Sequence, residues 1–128
     1  MAMKFRGTFT VMITAFDNDG LIDLDAQARF TEWQVNNGIH GLIPLGSTGE
    51  FLSMSFSERK AIAECVIKTV NGRVPVLVGA GAESTEEVID NVEMAESLGA
   101  DGTMIIPPFY STPTRLELIK HFERISQS

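Results

Sequence analysis

The sequence has little cysteine, little histidine and no long hydrophobic run, and each shortage excludes a class of protein. One cysteine, Cys65, cannot form an internal disulfide, and with only His40 and His121 beside it no metal-ligand spacing occurs. We therefore expect Cys65 to be a small buried residue on a helix. No apolar stretch approaches the roughly 20 residues of a membrane-spanning helix, and residues 1–6 lack the apolar segment of a signal peptide. These absences predict a cytoplasmic protein without a metal site and without a membrane partner.

Positive charge is also scarce. Ten Lys and Arg residues stand against seventeen Asp and Glu residues, so that the formal net charge is −7 at pH 7. A clustered basic face is hard to assemble from that balance, so we expect no nucleic-acid partner. The remaining composition, 44% hydrophobic and 21% charged residues in a chain of 128, predicts one globular domain over residues 1–128.

What the chain does contain is a regular alternation of short apolar runs with amphipathic segments that open on helix-capping residues. The nearly continuous apolar runs are typical of parallel strands covered on both faces. They predict strands at 8–14, 41–45, 74–79 and 102–106. The alternation therefore indicates four consecutive βα units.

The first predicted helix starts near Asp23 and carries Ala26, Phe30 and Trp33 on one face. It ends at residues 36–38, where Gly38 suits the left-handed conformation that terminates a helix. The amphipathic pattern therefore assigns this face to the core.

Three more helices have recognisable starts. Ser55 and Glu58 have the spacing of a capping box, and that helix runs to Val70. Residues 84–87 have the same capping-box spacing and predict the start of a helix that ends at residues 98–99. The fourth helix begins after residues 113–114 and continues to the chain end, with an apolar pattern at Leu116, Ile119, Phe122 and Ile125.

The order of the strands limits the architecture. If four parallel strands follow one another in order 1-2-3-4, right-handed crossovers put every helix on one side and leave the other sheet face bare. Wetting about six inward side chains there would cost roughly 9–18 kcal/mol, as much as the roughly 5–15 kcal/mol net stability of a domain. The inward set is Val11, Ile13, Leu42, Ile43, Leu77 and Met104.

Two architectures avoid that cost: a doubly wound sheet with helices on both faces, or part of a closed barrel. A TIM (β/α)8 barrel needs about 250 residues, and this chain has about half of that. The predicted fold class is therefore α/β, a (β/α)4 half of a TIM (β/α)8 barrel with helices on the outer face.

Ligands of parallel α/β sheets bind beyond the carboxyl ends of the strands, so the loops there hold the candidate site residues. After strand two come Gly46, Ser47, Thr48, Gly49 and Glu50. The glycines permit close backbone approach, and the segment between them offers N–H groups and two hydroxyls to a small carboxylate. A purely steric role for the glycines is the alternative. The Glu50 carboxylate is either a base or the acceptor of hydrogen bonds that hold the loop.

The loops after strands three and four differ in what they offer. Residues 79–84 lack both the dinucleotide fingerprint and a Walker lysine, so we expect no nucleotide and no cofactor. Residues 107–114 contain three prolines and the only tyrosine, Tyr110, which is the best acid/base candidate. The alternative for Tyr110 is a packed aromatic with its hydroxyl on a backbone group. His40 precedes strand two, at the wrong end for catalysis, and His121 lies in a helical pattern.

Four segments follow one another in an order that carries a family pattern: Ile-Thr-Ala-Phe at 13–16, Gly-Ser-Thr-Gly-Glu at 46–50, Val-Gly-Ala-Gly at 78–81 and Pro-Phe-Tyr-Ser-Thr-Pro-Thr at 108–114. Together they resemble the dihydrodipicolinate synthase / N-acetylneuraminate lyase family of pyruvate-dependent class I aldolases. The resemblance implies a (β/α)8 barrel in which a lysine attacks the ketone of pyruvate and forms a Schiff base. The resulting enamine then adds to an aldehyde or is released by retro-aldol cleavage.

The resemblance also implies roles for individual residues. Ser47 and Thr48 would bind the pyruvate carboxylate, and Ser47 would also belong to a hydroxyl relay, with Gly46, Gly49 and Glu50 shaping the loop. Tyr110 matches the tyrosine that, in the synthases, reaches across a tight dimer interface into the neighbouring active site. The expected partners are therefore a pyruvate-like keto acid and further copies of the chain, as a homodimer or higher oligomer.

The sequence departs from the family pattern in two respects. Synthases usually have threonine where Ser47 stands, whereas serine is common in the lyase branches. The second half of the family barrel normally carries the Schiff-base lysine on strand six and a Tyr-Asn-x-Pro element on strand five. The lysines here are Lys4, Lys60, Lys68 and Lys120, at the start or on predicted helices.

The sequence therefore predicts the N-terminal half of a Schiff-base lyase or synthase that is inactive by itself. Two alternatives stay open. One is a catalytically inert half barrel that dimerises to close eight strands. The other is a doubly wound anion-binding module with helices on both sheet faces.

Overall fold

A computed structural model describes residues 5–128, in which strands and helices alternate in the predicted order. The strands are β1 (Phe9–Val11), β2 (Gly41–Ile43), β3 (Leu77–Gly79) and β4 (Gly102–Met104). The helices are α1 (Leu24–Asn36), α2 (Phe56–Val70), α3 (Thr85–Ser97) and α4 (Arg115–Ile125), and two single-turn 3-10 helices, Ser47–Gly49 and Phe51–Ser53, lie between β2 and α2. Within this part of the chain no helix is long and apolar enough to cross a membrane.

The strands are parallel and adjacent in chain order. Thr10 of β1 lies opposite Leu42 of β2, and Val78 of β3 lies opposite Thr103 of β4. A parallel bridge between Leu42 and Val76 joins the two pairs, so the order is 1-2-3-4. The carboxyl ends of all four strands consequently lie along one edge of the sheet, which we call the carboxyl rim.

Each strand is shorter than predicted, three residues instead of five to seven. Pro44 and Pro75 flank the regular parts of β2 and β3, and neither has an N–H to donate to a ladder. Leu45 takes a left-handed conformation with φ 64°, which turns the chain out of β2 toward the carboxyl rim. The apolar runs thus correctly locate the strands but continue beyond their hydrogen-bonded portions.

The predicted helix starts are confirmed by their capping contacts. The side chain of Asp23 accepts the N–H of Ala26, and Ser55 and Glu58 form a reciprocal capping box. Ser84 caps α3 by accepting the N–H of a residue three positions on, without the reciprocal half of the box. These local contacts define where each helix leaves its loop.

Helix α1 packs on a face rotated by about one residue from the one predicted, with Ala26 and Phe30 half-buried at its edge. Trp33 is 62% exposed, and the buried positions of α1 are the polar residues Gln27, Thr31 and Gln34. Gln27 is fully buried because its amide serves the loop after β1: Oε1 accepts the N–H of Ala15 at 2.8 Å, and Nε2 donates to a carbonyl two residues earlier. An apolar pattern cannot reveal a buried face whose polar groups are paired.

All four helices lie on the same side of the sheet. Leu42, Val76 and Val78 point toward the helices and are essentially inaccessible, within one core cluster that includes residues of α2 and α3. On the opposite side, Val11 and Ile13 are 37% and 53% exposed. The doubly wound alternative is therefore wrong.

Five of the six predicted inward residues share this uncovered side by register and alternation. Leu42 was wrongly included, because it lies on the helix-covered side. We call the uncovered side the open face; it consists of Val11, Ile13, Ile43, Leu77 and Met104.

Two further predictions about helix faces need correction. Of the apolar positions on α4 only Ile125 is buried, whereas Leu116, Ile119 and Phe122 are exposed. Cys65 lies on α2 as predicted, but it is half-buried and its thiol donates to the carbonyl of Leu24 at 3.4 Å. The α4 stripe thus faces away from the core of the described residues.

The two buried glutamines of α1 provide a matched test of this packing. Gln27→Leu should lower the free energy of unfolding by about 1–3 kcal/mol, because it leaves the backbone partners of Gln27 unpaired. Gln34→Leu should be neutral or stabilising, since Nε2 of Gln34 is buried without a hydrogen-bond partner in residues 5–128. Urea denaturation of both variants measures the difference, and equal losses of stability would contradict this account.

Candidate functional site

The loop after β2 presents its polar groups outward on a closed turn. Gly46 and Gly49 are buried, whereas Ser47 and Thr48 are exposed. The N–H of Gly49 donates to the carbonyl of Gly46 at 3.0 Å and closes the 3-10 turn. Across residues 5–128, the structure shows no hydrogen-bond partner for the hydroxyls or the backbone N–H groups of Ser47 and Thr48. These donors are therefore available to a ligand at the carboxyl rim.

Both glycines of this loop are also required sterically. A Cβ on Gly46 would lie 2.8 Å from Cγ1 of Val11, and a Cβ on Gly49 would lie 2.9 Å from the carbonyl oxygen of Met12. The loop thus lies directly on the end of β1. The steric role of the glycines is therefore confirmed, whereas close approach of the backbone to a carboxylate stays a prediction.

Thr14 fastens this loop to the end of β1. Its side chain is buried, and Oγ1 donates to the carbonyl oxygen of Gly49 at 2.7 Å. Thr14 belongs to the segment that carries the family pattern, but the pattern alone predicts no role for it in the site. A threonine at the apolar end of a predicted strand indicates a buried hydroxyl, and a buried hydroxyl needs a hydrogen-bond partner. That position could have marked Thr14 as a residue that holds a neighbouring loop.

Glu50 acts through its backbone, contrary to the expectation that its carboxylate holds the loop. It is one of the non-glycine residues with a left-handed backbone, at φ 58°. Its N–H donates to the carbonyl of Ser47 at 3.1 Å, and its own carbonyl accepts the N–H of Ser53 at 3.0 Å. Within residues 5–128 no hydrogen bond to its exposed carboxylate occurs.

The tyrosine loop after β4 meets the Ser47 loop through two aromatic rings. Phe109 packs edge-on against the buried Phe51, with ring centroids 6.2 Å apart. The next residue, Tyr110, is 91% exposed. Within residues 5–128 the ring of Tyr110 is therefore not packed, and the phenol projects from the carboxyl rim.

Glu83, in the loop after β3, holds the tyrosine loop from the other side. It accepts the N–H groups of Phe109, Tyr110 and Ser111 and the Ser111 hydroxyl. These hydrogen bonds, that of Tyr110 first among them, lower the pKa of Glu83 to about 2. The sequence reading missed Glu83, because its partners lie 26 to 28 residues further along the chain.

The narrow depression beside Ser47 shows how the loops converge. It is lined by the ends of three strands, and its walls include Gly79, Gly81, Met104 and Ile106. Ser47 thus lies against the carboxyl ends of β3 and β4 as well as that of β2. The three candidate loops surround one region of the rim.

The remaining polar candidates lie elsewhere. His40 is structural as predicted, because its Nδ1 accepts the N–H of Thr8 at 3.0 Å before β2 begins. Lys60 and Lys68 lie on α2 and Lys120 lies on α4. Lys4 lies outside the described residues. No described lysine therefore lies at the carboxyl end of a strand.

The sequence matches the model of the dihydrodipicolinate synthetase family over residues 4–128. The chain belongs to this family. Among curated relatives, the 4-hydroxy-tetrahydrodipicolinate synthase of Magnetococcus marinus is 43% identical over 122 residues, which cover 95% of this chain and 41% of that protein. The chain spans about two fifths of the length of the curated relatives it matches.

Solved structures confirm the architecture. The dihydrodipicolinate synthase of Thermotoga maritima superposes with a TM-score of 0.92 at 40% identity, over 97% of this chain and 42% of that one. A prophage protein of the same family from Escherichia coli K12, solved in complex with pyruvate, gives 0.92 at 37% identity, over 96% and 41%. The family fold is a TIM barrel, so the predicted N-terminal (β/α)4 half is confirmed.

The Thr14 contact can be tested by a pair of substitutions. Thr14→Val should lower the free energy of unfolding by about 1–2 kcal/mol, because the buried Gly49 carbonyl loses its donor. Thr14→Ser keeps the hydroxyl and should retain the order of the loop. Amide hydrogen exchange at residues 46–50 measures that order. Equal protection in the Val and Ser variants would show that the hydroxyl does not hold the loop.

Proposed function

We propose that this chain supplies the keto-acid-binding half of a pyruvate-dependent Schiff-base lyase or synthase, and that it does not supply the lysine nucleophile. The observation that carries the proposal is the pair of exposed donors Ser47 and Thr48 at the carboxyl end of β2, which have no hydrogen-bond partner among residues 5–128. Gly46 and Gly49 allow the turn to lie on β1, and the carbonyl of Gly49 is held by Thr14.

Fixed N–H and O–H groups suit a small carboxylate. They offer several hydrogen bonds to one anion and need no reorganisation when it arrives, because the turn is already closed. The E. coli family member solved with pyruvate supports a keto acid as the ligand class. In this proposal Ser47 and Thr48 hold the pyruvate carboxylate, with Gly46, Gly49 and the backbone of Glu50 shaping the turn.

Ser47 and Tyr110 are the proposed proton-transfer groups. Imine formation at a ketone requires a proton to move onto the departing oxygen, and hydroxyl groups can pass it along. Ser47 lies within the convergence of the three loops, whereas Tyr110 projects outward and is almost fully exposed. An outward phenol fits a role in the site of a neighbouring chain, which supports a homodimer or a higher oligomer.

The described lysines do not suit the role of nucleophile. A Schiff-base lysine must reach the ketone of a substrate bound at the carboxyl rim. Lys60, Lys68 and Lys120 lie on the outer helices, and Lys68 is paired with Glu64 at 2.6 Å. The proposal therefore assigns the role of nucleophile to none of the described lysines.

Pyruvate provides the direct test. When the purified chain is titrated with pyruvate, amide resonances of residues 46–49 should shift, and Ser47→Ala should weaken the binding by roughly tenfold through loss of one hydrogen bond to a charged group. Borohydride added to the same sample should leave the intact mass unchanged, because no imine forms.

The controls separate the two parts of this test. Ser97→Ala removes a hydroxyl on α3 that donates to a carbonyl of its own helix, so it should leave pyruvate binding unchanged. A pyruvate-dependent mass increase after borohydride would overturn the assignment of the lysine. Unchanged resonances at residues 46–49 would overturn the assignment of the carboxylate site.

The open face favours a second candidate function, an inert half barrel that assembles with itself. Val11 and Ile13 are exposed there, and exposed apolar patches mark surfaces that become covered. Two chains related by a twofold axis along the barrel could pair β4 of each with β1 of the other. Eight parallel strands would then enclose both open faces.

Sedimentation velocity of the wild type and of an open-face variant, at micromolar concentration, tests the second candidate, since a dimer alone is expected under both proposals. The self-assembling half barrel predicts a dimer, and Ile13→Asp should convert it to monomer because a charge would be buried at its centre. Leu21→Asp changes an equally exposed apolar residue in the loop before α1 and should stay dimeric. A folded, monomeric wild-type chain would exclude this second candidate.

A further inference from the structure

We propose that Glu83 is the positioning residue for Tyr110: it holds the backbone of the tyrosine loop, so that the phenol starts from a fixed point on the carboxyl rim. The inference deepens the proposed function, since the role of Tyr110 in proton transfer rests on it. Glu83 itself touches no substrate in this proposal and acts through the loop alone.

The geometry is a carboxylate enclosed by successive backbone donors. Oε1 of Glu83 accepts the N–H of Phe109 at 2.5 Å and the N–H of Tyr110 at 2.7 Å. Oε2 accepts the N–H and the hydroxyl of Ser111 at 3.1 and 3.0 Å. Consecutive N–H groups that converge on an anion form a nest, and here the anion comes from the chain itself.

A second contact fixes the same loop from the side. The ring of Phe109 packs edge-on against Phe51, which belongs to the segment that follows the Ser47 turn. The main chain on either side of Tyr110 is therefore held at both neighbours, whereas its ring remains free. With a fixed backbone, the position of the hydroxyl depends on two side-chain torsions alone.

Glu83 is not needed for the start of α3, which would have been its simplest structural role. Ser84 is the N-cap, and its side chain accepts the N–H of Glu87. The four hydrogen bonds of Glu83 go instead to a loop in the next βα unit. Ser84 therefore caps α3, and the adjacent Glu83 binds the tyrosine loop.

A carboxylate suits this task better than an amide. It accepts at both oxygens, whereas a glutamine accepts at one and would face the Ser111 N–H with its own donors. The same hydrogen bonds keep the pKa of Glu83 near 2, so the carboxylate is charged throughout the neutral range. Its stabilisation of the loop is complete above the ordinary pKa of glutamate and is lost as the pH falls through 2.

Other charged groups line the pockets on either side of Glu83. Arg59 of α2 and Glu87 of α3 lie on one side and are paired with each other at 3.4 Å. Glu117 and His121 of α4 lie on the other side. The carboxylate of Glu83 is bound by backbone N–H groups and one hydroxyl rather than by these side chains, so the loop amides report on it directly.

The test compares Glu83→Gln with Glu86→Gln in the chain as it stands. Glu86 is the matched control on α3, where it pairs with Arg124 at 2.6 Å and does not contact the tyrosine loop. At pH 7, hydrogen exchange of the amides of residues 109–111 should accelerate about tenfold or more in Glu83→Gln, because hydrogen bonds to a charged acceptor are lost. Glu86→Gln should match the wild type.

The pH dependence of the loop amide resonances shows whether the Glu83 carboxylate holds the loop itself or only stabilises the fold as a whole. In the wild type, the amide resonances of residues 109–111 should titrate together with a midpoint near pH 2, where the carboxylate of Glu83 takes up its proton. In Glu83→Gln this transition should be absent. Unchanged exchange at 109–111, or an equal acceleration across all helices, would overturn the proposal.

The outcome is independent of pyruvate, so failure of this inference and failure of the proposed function are distinguishable. Ordered loop amides that depend on Glu83, in a chain that does not bind pyruvate, would remove the proposed function and leave the loop contact intact. Pyruvate binding at residues 46–49, with a tyrosine loop whose amides do not depend on Glu83, would overturn the role of Glu83 and leave the proposed function intact.

Discussion

When parallel strands add one after another in the same direction across a sheet, right-handed crossovers place each helix on the same sheet face as the helix before it. In this chain the rule applies in succession, so that α1 to α4 lie together and cover Leu42, Val76 and Val78. The opposite side, with Val11 and Ile13, is left open by the same geometry. That one constraint also gathers the ends of the strands on a common edge, where the loops with Ser47, Glu83 and Tyr110 approach one another.

The parts of the fold that the sequence revealed are those with local signals. Asp23, Ser55 and Ser84 cap helices through contacts only three residues away, and their helices start where predicted. The face of α1 depends instead on Gln27, whose acceptor and donor partners lie in a loop 12 and 14 residues earlier. A pattern of apolar residues carries no information about such pairings, so Trp33 was assigned to the core although it lies in solvent.

The candidate site shows the same division. Ser47, Thr48 and Tyr110 could be singled out because parallel sheets bind ligands where strands end, and the structure places them there. The residues that hold these loops in place could not be recognised from their positions in the sequence. Thr14 lies 35 residues before the carbonyl it holds, and Glu83 lies well before the amides it binds. Side chains that organise a loop from another βα unit become recognisable only when the units are assembled.

The uncovered edge of β4 has a further consequence. Among the described residues β4 pairs with β3 alone, so its other side presents N–H and C=O groups that any extended segment could use. Such edges are templates for aggregation, and proteins protect them by keeping the strand short or by adding proline. Here β4 is three residues long and Pro107 and Pro108 follow soon after it. Within the described residues, these features confine the unpaired backbone groups of β4 to a very short segment.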